Sequence, residues 1–237
     1  MQIAILVDYD NLMLNQKSAG LVDLATRVLT QLPPLAAQER GGCEMRLYGG
    51  WYEEASMTKV AQELSVEIQA DFPKIIRAPN QSGGFTPISV NASLAVALSE
   101  DPAHLLFNTF RKKGKPNNVR VQSPEDAGCA KDDCALTSLK KFLKSGKCPA
   151  ASCSTTSSNL VYRSEQKLVD TMLACDLLHT QMQKLDYIVL VSDDDDFIPP
   201  VRTLLLRGAP IVRAHPKFSS QRQSIAAGAT KLHEMEL

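Results

Sequence analysis

Asp186-Tyr187-Ile188-Val189-Leu190-Val191-Ser192-Asp193-Asp194-Asp195-Asp196-Phe197 is the stretch on which the reading of this chain turns. A short, β-branched apolar run from Tyr187 to Val191 delivers Ser192 and four consecutive aspartates. Phe197, Ile198, Pro199 and an amphipathic run follow. A continuous apolar run bounded by turn residues has the pattern of a buried strand, and the amphipathic run that of a helix. The acids then occupy the loop at the carboxyl end of a strand, where open α/β sheets bind ligands. Adjacent carboxylates repel one another unless water or a cation neutralises them, and hard divalent cations prefer oxygen ligands. A solvated acidic turn is the alternative; the place at the end of a strand favours a metal or phosphate site.

A second apolar run, Ile3 to Val7, ends in Asp8-Tyr9-Asp10-Asn11. If the two strands are neighbours in a parallel sheet, Asp8 and Asp194 face one pocket. A lone aspartate after a strand is otherwise a turn or cap residue. The chain has 237 residues, 44% of them hydrophobic, enough for one α/β domain carrying an insertion. Lys+Arg and Asp+Glu are both 26, so any nucleic-acid signal must be local. The first apolar run is too short for a signal peptide and lacks a basic start, and no stretch is long enough to span a bilayer. The expected location is cytoplasmic, with the six cysteines reduced or metal-bound.

Val7-Asp8-Tyr9-Asp10-Asn11 resembles the D-x-x-N opening of the NYN family of PIN-like metal-dependent ribonucleases. Ser192 to Pro199 resembles that family's S-G-D-S-D-F-x-P block, with Asp194 and Asp196 on its two aspartates. Asp193 stands at the glycine and Asp195 at the second serine, adding charge that either tightens metal binding or leaves the loop more solvated. Lys167-Leu168-Val169-Asp170, with Asp176 six residues on, resembles the K-x-x-D-x5-D helix. The resemblance covers the amino-terminal strand-helix-strand-helix portion and the last third, and not the cysteine region.

The resemblance implies a three-layer α/β fold, PIN-like and Rossmann-like, with a parallel sheet flanked by helices. It implies a metal-dependent endoribonuclease acting on RNA, in which Asp8, Asp170, Asp194 and Asp196 hold one or two Mg or Mn ions. The metal would activate a water for in-line attack on the phosphodiester. Asn11 would hold an acid or the scissile phosphate in register, and Lys167 would orient Asp170 or meet a phosphate. Asp10, Asp176, Asp193, Asp195 and Ser192 are secondary members of the site.

Between these motifs, Leu21 to Leu35 reads as a helix ended by Pro33-Pro34, Gly41-Gly42 as a turn, and Glu44 to Tyr48 as a strand. Trp51, on the loop that follows, either stacks a base or packs against the next helix, Glu54 to Gln69. Lys74 to Arg77 is a short strand, and Phe85 to Leu98 fits strand or helix. Ala103 to Lys113 reads as a helix and Val119 to Val121 as a strand.

Cys129-x4-Cys134 and Cys148-x4-Cys153 are two pairs of equal spacing, which resemble a tetrahedral structural zinc site; unrelated reduced thiols are the alternative. From Leu105 to Lys147 there are ten Lys+Arg against four Asp+Glu. Arg111, Lys112, Lys113 and, on a short helix from Ala135, Lys140, Lys141 and Lys144 make either a phosphate-backbone footprint or a solubilising face. The expected organisation is an NYN domain in two parts, 1–116 and 160–237, around an inserted zinc-binding module at 117–159. Ser164 is read as the N-cap of a helix, Glu165 to Gln181. Ile211 to Arg213 is a strand, with His215 either structural or near substrate. Ser219 to Ala227 is read as a helix.

Two rival functions stay open. Asp8-Tyr9-Asp10 matches the D-x-D opening of haloacid-dehalogenase-type phosphohydrolases, with Asp8 as nucleophile and Asp10 as acid/base. A non-catalytic RNA-binding regulator would keep the fold and turn over nothing. The sequence leaves the oligomeric state open, a dimer included.

Overall fold

A computed structural model describes residues 1–36, 38, 40–114, 120–129, 134–217, 225–227 and 230–237, without the side chains of 112–114, 164, 227, 230 and 231. The chain falls into two compact units, one of residues 1–109 with 166–237 and one of residues 110–165.

The first unit is built on a seven-stranded sheet. In chain order its elements are β1 (Gln2–Asp8), α1 (Leu14–Ala19), α2 (Leu21–Gln31), β2 (Gly41–Tyr48), α3 (Lys59–Asp71), β3 (Lys74–Pro79), β4 (Phe85–Leu94), α4 (Val169–His179), β5 (Tyr187–Val191), α5 (Ile198–Leu206), β6 (Ile211–His215) and β7 (His233–Glu236). The strand order is β7-β6-β5-β1-β2-β4-β3. Every neighbouring pair is parallel except β3 with β4, which is antiparallel at one edge.

Alternation along β1 sets the layers. Ile3, Ile5 and Val7 join one core with Leu24, Val28 and Leu29 of α2 and Ala61 and Leu64 of α3. Ala4 and Leu6 join the other with Met172 and Leu173 of α4 and Val201 and Leu204 of α5. A central strand covered on both faces has no polar side to show, which is why β1 and β5 are unbroken apolar runs. The first half of the chain builds outward from β1 through β2, and the last third outward from β5 through β6. The order therefore switches direction between β1 and β5, where such sheets open a crevice at their carboxyl ends. No helix among the described residues is long and apolar enough to cross a membrane.

Several local expectations are corrected. Gly41 and Gly42 begin β2, Gly42 in register with Gln2, and no turn forms there. A Cβ on Gly41 would lie 2.7 Å from Ile88 Cδ1 and 2.9 Å from Met1 Cε, so the ends of those side chains would have to shift to admit one. Residues 52–57 form a small hairpin, so α3 starts only after Thr58, whose side chain accepts from Ala61 N–H at 3.4 Å. Phe85–Leu94 is a strand. Residues 105–109 are irregular and Phe110–Gly114 is a strand, where a helix was expected. The amides of Leu106 and Asn108 bond across to Val96 O and Glu54 O, at 2.8 and 2.9 Å, which leaves no helical ladder. Tyr162–Gln166 is likewise a strand, so position 164 does not open a helix and α4 begins at Val169. Leu168 sits before it at φ 70, in the left-handed region. Lys167 lies outside the helix and shares no helical face with Asp170. Of the expected helix Ser219–Ala227, residues 219–224 lie outside the described residues, and Ala226–Ala227 is a short strand. Val119 of the expected strand Val119–Val121 also lies outside them.

The second unit holds the strand Phe110–Gly114, a helix at Ala135–Ser145 closed by Gly146 in the left-handed conformation, a short helix at Ser157–Leu160, and most of the strand Tyr162–Gln166. Cys129 Sγ and Cys134 Sγ are 3.2 Å apart. Cys153 bonds to Thr155 and to Cys148, which together draw its thiol below the ordinary cysteine range. The sulfurs stand as two pairs: among the described residues no three cysteine, histidine, aspartate or glutamate side chains are gathered about one point that could hold an ion. A structural zinc site needs a closed set of four ligands.

Candidate functional site

β1 and β5 lie side by side with Val7 opposite Val191, so the residues after each strand emerge together. Asp8 is buried, and its carboxylate accepts from Ser192 Oγ–H at 2.8 Å. Ser192 Oγ in turn accepts from the Asp194 amide at 3.0 Å. One hydroxyl thus ties the loop after β5 to the acid at the end of β1. Asn11 adds a second tie, its Oδ1 accepting from the Asp193 amide at 3.4 Å. Asp194 caps the 3-10 turn Asp195–Phe197 by accepting from the Asp196 amide at 2.9 Å. Asp170 enters from the first turn of α4 and is open to solvent on one side.

The electrostatics show the acids acting on one another. Burial raises Asp8 from 3.8 to about 6, with the charges of Asp170 and Asp10 adding and the Ser192 hydrogen bond opposing. Desolvation also raises Asp170, reinforced by the charges of Asp194, Asp196 and Asp10 and opposed by Lys167. The two strands and α4 therefore bring Asp8, Asp170, Asp194 and Asp196 into one field, with Asp10 at its edge and Lys167 as its nearby cation. The Asp10 carboxylate accepts from the Gln166 side chain.

Carboxylate oxygens are the donors that Mg and Mn take, and a cation would offset both the burial and the acid–acid repulsion that raise Asp8 and Asp170. No three of the described acids are gathered tightly enough to cage a bare ion. Mg keeps several waters and is held through one or two carboxylates, a mode that does not require three. The donor set fits a hydrated divalent cation and offers nothing to a soft one.

Several expected members stand elsewhere. Asp176 is buried and bonds to Tyr48 OH and the Ser99 amide, both at 2.7 Å, with the Arg46 guanidinium at 3.2 Å. It borders a separate cavity of about 270 Å³. A carboxylate whose oxygens are filled this way is a structural anchor. Trp51 is 1% exposed, donates from Nε1 to Leu47 O at 2.9 Å, and lies against Tyr9 with ring centroids 5.7 Å apart. It belongs to the core and is closed to a base. A Cβ on Gly49 would come within 2.6 Å of its ring, so Gly49 is fixed by this packing. Asp193 turns its carboxylate away from the other acids, to His215 Nδ1 at 2.8 Å and the Lys217 amide at 2.7 Å. Asp195 is exposed, 3.9 Å from Arg213. Lys140, Lys141 and Lys144 lie on one helix of the second unit, and Arg111 on its first strand. The side chains of Lys112 and Lys113 lie outside the described residues.

Residues 99–232 match the NYN domain family. The chain belongs to the NYN domain family. That family is one of PIN-like nucleases, and the mostly parallel three-layer sheet fits it. The match runs through the cysteine region, which the motif resemblance left out, and starts after Asp8 and Asn11, which it included. No curated protein and no solved structure matches the chain.

Sequence reasoning missed Arg213. It is buried on β6 and donates from Nε to Ser192 O at 3.0 Å and from NH2 to Asp194 O at 2.9 Å. A charged residue inside an otherwise apolar strand was the available signal, since such groups are buried only with partners.

Proposed function

We propose that this NYN protein is an endoribonuclease dependent on Mg or Mn. The observation that carries the reading is the Ser192 hydroxyl joining Asp8 to the Asp194 loop, which sets acids from two distant parts of the chain at one rim of the sheet. Asp8, Asp170, Asp194 and Asp196 are the residues that would hold the cation. When bound, a divalent cation supplies positive charge against a phosphodiester and acidifies water.

The chain's own groups do the rest. Ser192 and Asn11 hold the loop after β5 on the end of β1. Lys167 offers a cation beside Asp170 for a phosphate oxygen. Arg111, Lys140, Lys141 and Lys144 add affinity for the RNA backbone that weakens with salt. The phosphohydrolase reading finds no support: Asp10, its acid/base, is bonded to Gln166, and the family matched is a nuclease family.

The purified protein is expected to cleave RNA internally with Mn²⁺ and to stop with a chelator. Asp194→Asn is expected to lower the rate at least about 100-fold, the scale of losing a ligand whose charge the reaction needs. A variant that cuts as fast as the parent removes the assignment.

A further inference from the structure

Two side chains of β6, Arg213 and His215, share a face and both grip the acid loop, yet neither belongs to the acid set. Arg213 spans two carbonyls with one planar fork, Nε to Ser192 O at 3.0 Å and NH2 to Asp194 O at 2.9 Å. His215, 2% exposed, stands between two carboxylates, with Nδ1 2.8 Å from Asp193 and Nε2 3.0 Å from Glu234 of β7. The Lys217 amide closes on the other oxygen of Asp193 at 2.7 Å. Three successive residues of the loop are thus held from β6 and its exit, and β7 backs the histidine.

We propose that Arg213 and His215 are positioning residues of the acid site, clamping residues 192–194 so that Asp194 and Asp196 face Asp8, and that Asp193 is the handle of this clamp and not a metal ligand. This rests on the nuclease reading of the same site. The chemistry favours the assignment. A run of acids repels itself, and a loop carrying it stays in one conformation only if something positive or donating holds it from behind. Arg213 holds it through backbone oxygens and so takes no carboxylate oxygen from Asp194 or Asp196, although Asp194 gives one to the Asp196 amide. Asp193 has both of its oxygens occupied on the far side. Lysine at 213 would keep the charge and lose the fork, because an ammonium cannot reproduce two parallel donors in a plane. Outer residues that orient ligands typically change metal affinity or activity by about 10- to 100-fold when lost.

The test uses the full chain, Mn²⁺ alone as the binding probe, and RNA cleavage and thermal melting in parallel. Asp193→Asn keeps one oxygen as acceptor for the Lys217 amide and presents its own N–H to His215 Nδ1, which accepts when the imidazole proton sits on Nε2 toward Glu234, and it should hold Mn²⁺ affinity and kcat within about threefold of the parent. Asp193→Ala should lose about tenfold in both, with KM for RNA little changed. Arg213→Lys should lose about tenfold in kcat while still melting cooperatively. Rescue by asparagine separates a handle from a ligand, since a metal ligand would be lost in both Asp193 variants. If Asp193→Asn weakens Mn²⁺ as much as Asp194→Asn does, Asp193 is a ligand and the clamp is overturned. If Asp193→Ala and Arg213→Lys match the parent while Asp194→Asn loses Mn²⁺, the acid site stands and the clamp alone falls. Should Arg213→Lys not fold, the two Asp193 variants, at a half-buried surface position, decide the matter. If Asp194→Asn binds Mn²⁺ like the parent, the acid-site reading itself fails and the clamp with it.

Discussion

Asp8 is the residue at which the needs of the fold and of the site conflict. Its carboxyl titrates at about 6 against an ordinary 3.8. Between those values the folded chain keeps a proton that the unfolded chain has lost. The ion-free protein is therefore expected to lose stability as pH rises through that window, by about 3 kcal/mol in all, and to stay at the lower level above it. Asp8→Asn removes the buried charge. Urea titrations at pH 7 without metal should find that variant more stable than the parent by up to about 3 kcal/mol, although it cleaves nothing. Mn²⁺ should raise the parent's melting temperature and leave the variant's unchanged. Trp51, the one tryptophan in the chain, gives a second measurement: sealed against Tyr9, its emission should be that of a buried indole and should not move when RNA binds.

At the scale of elements, what the sequence revealed and what it hid have separate causes. Apolar runs such as Ile3–Val7 and Tyr187–Val191 announce strands because burial on both faces removes any polar alternation. The acids at their ends could be read as one site because parallel neighbours put their carboxyl ends together. Residues 103–113 misled for the opposite reason: their amides are satisfied by segments far off in the chain, which no local pattern records. The start of α4 was hidden in the same way, since Lys167 N–H is taken by Thr109 O at 2.9 Å and Leu168 adopts φ 70. Leu168→Gly removes the strain of a side chain in that conformation. It is expected to stabilise the protein by about 0.5–1 kcal/mol, measured by chemical denaturation, with cleavage unchanged. Asp193 shows the limit for a single side chain: a family position filled by an unexpected acid looks like added charge until its partner, His215, is in view.

For the whole molecule, the hydrogen bond between Lys167 N–H and Thr109 O means that the first unit is left and re-entered at adjacent points. Closing that gap with a short flexible turn costs little chain entropy. A chain in which residues 110–165 are replaced by about four Gly and Ser residues is expected to melt in one transition and to keep its Mn²⁺ affinity. Its affinity for RNA should fall and depend less steeply on salt, because Arg111, Lys140, Lys141 and Lys144 are gone. Calorimetry and a salt titration of RNA binding check both parts. A replacement that fails to fold would show that the second unit supports the first.

Ser192 meets Asp8 across 184 residues of chain. A ribosome making this protein therefore releases the first acid long before the loop that completes the cluster exists. Until that loop has been made and β5 has paired with β1, the growing polypeptide carries Asp8 without the partners that complete the acid cluster.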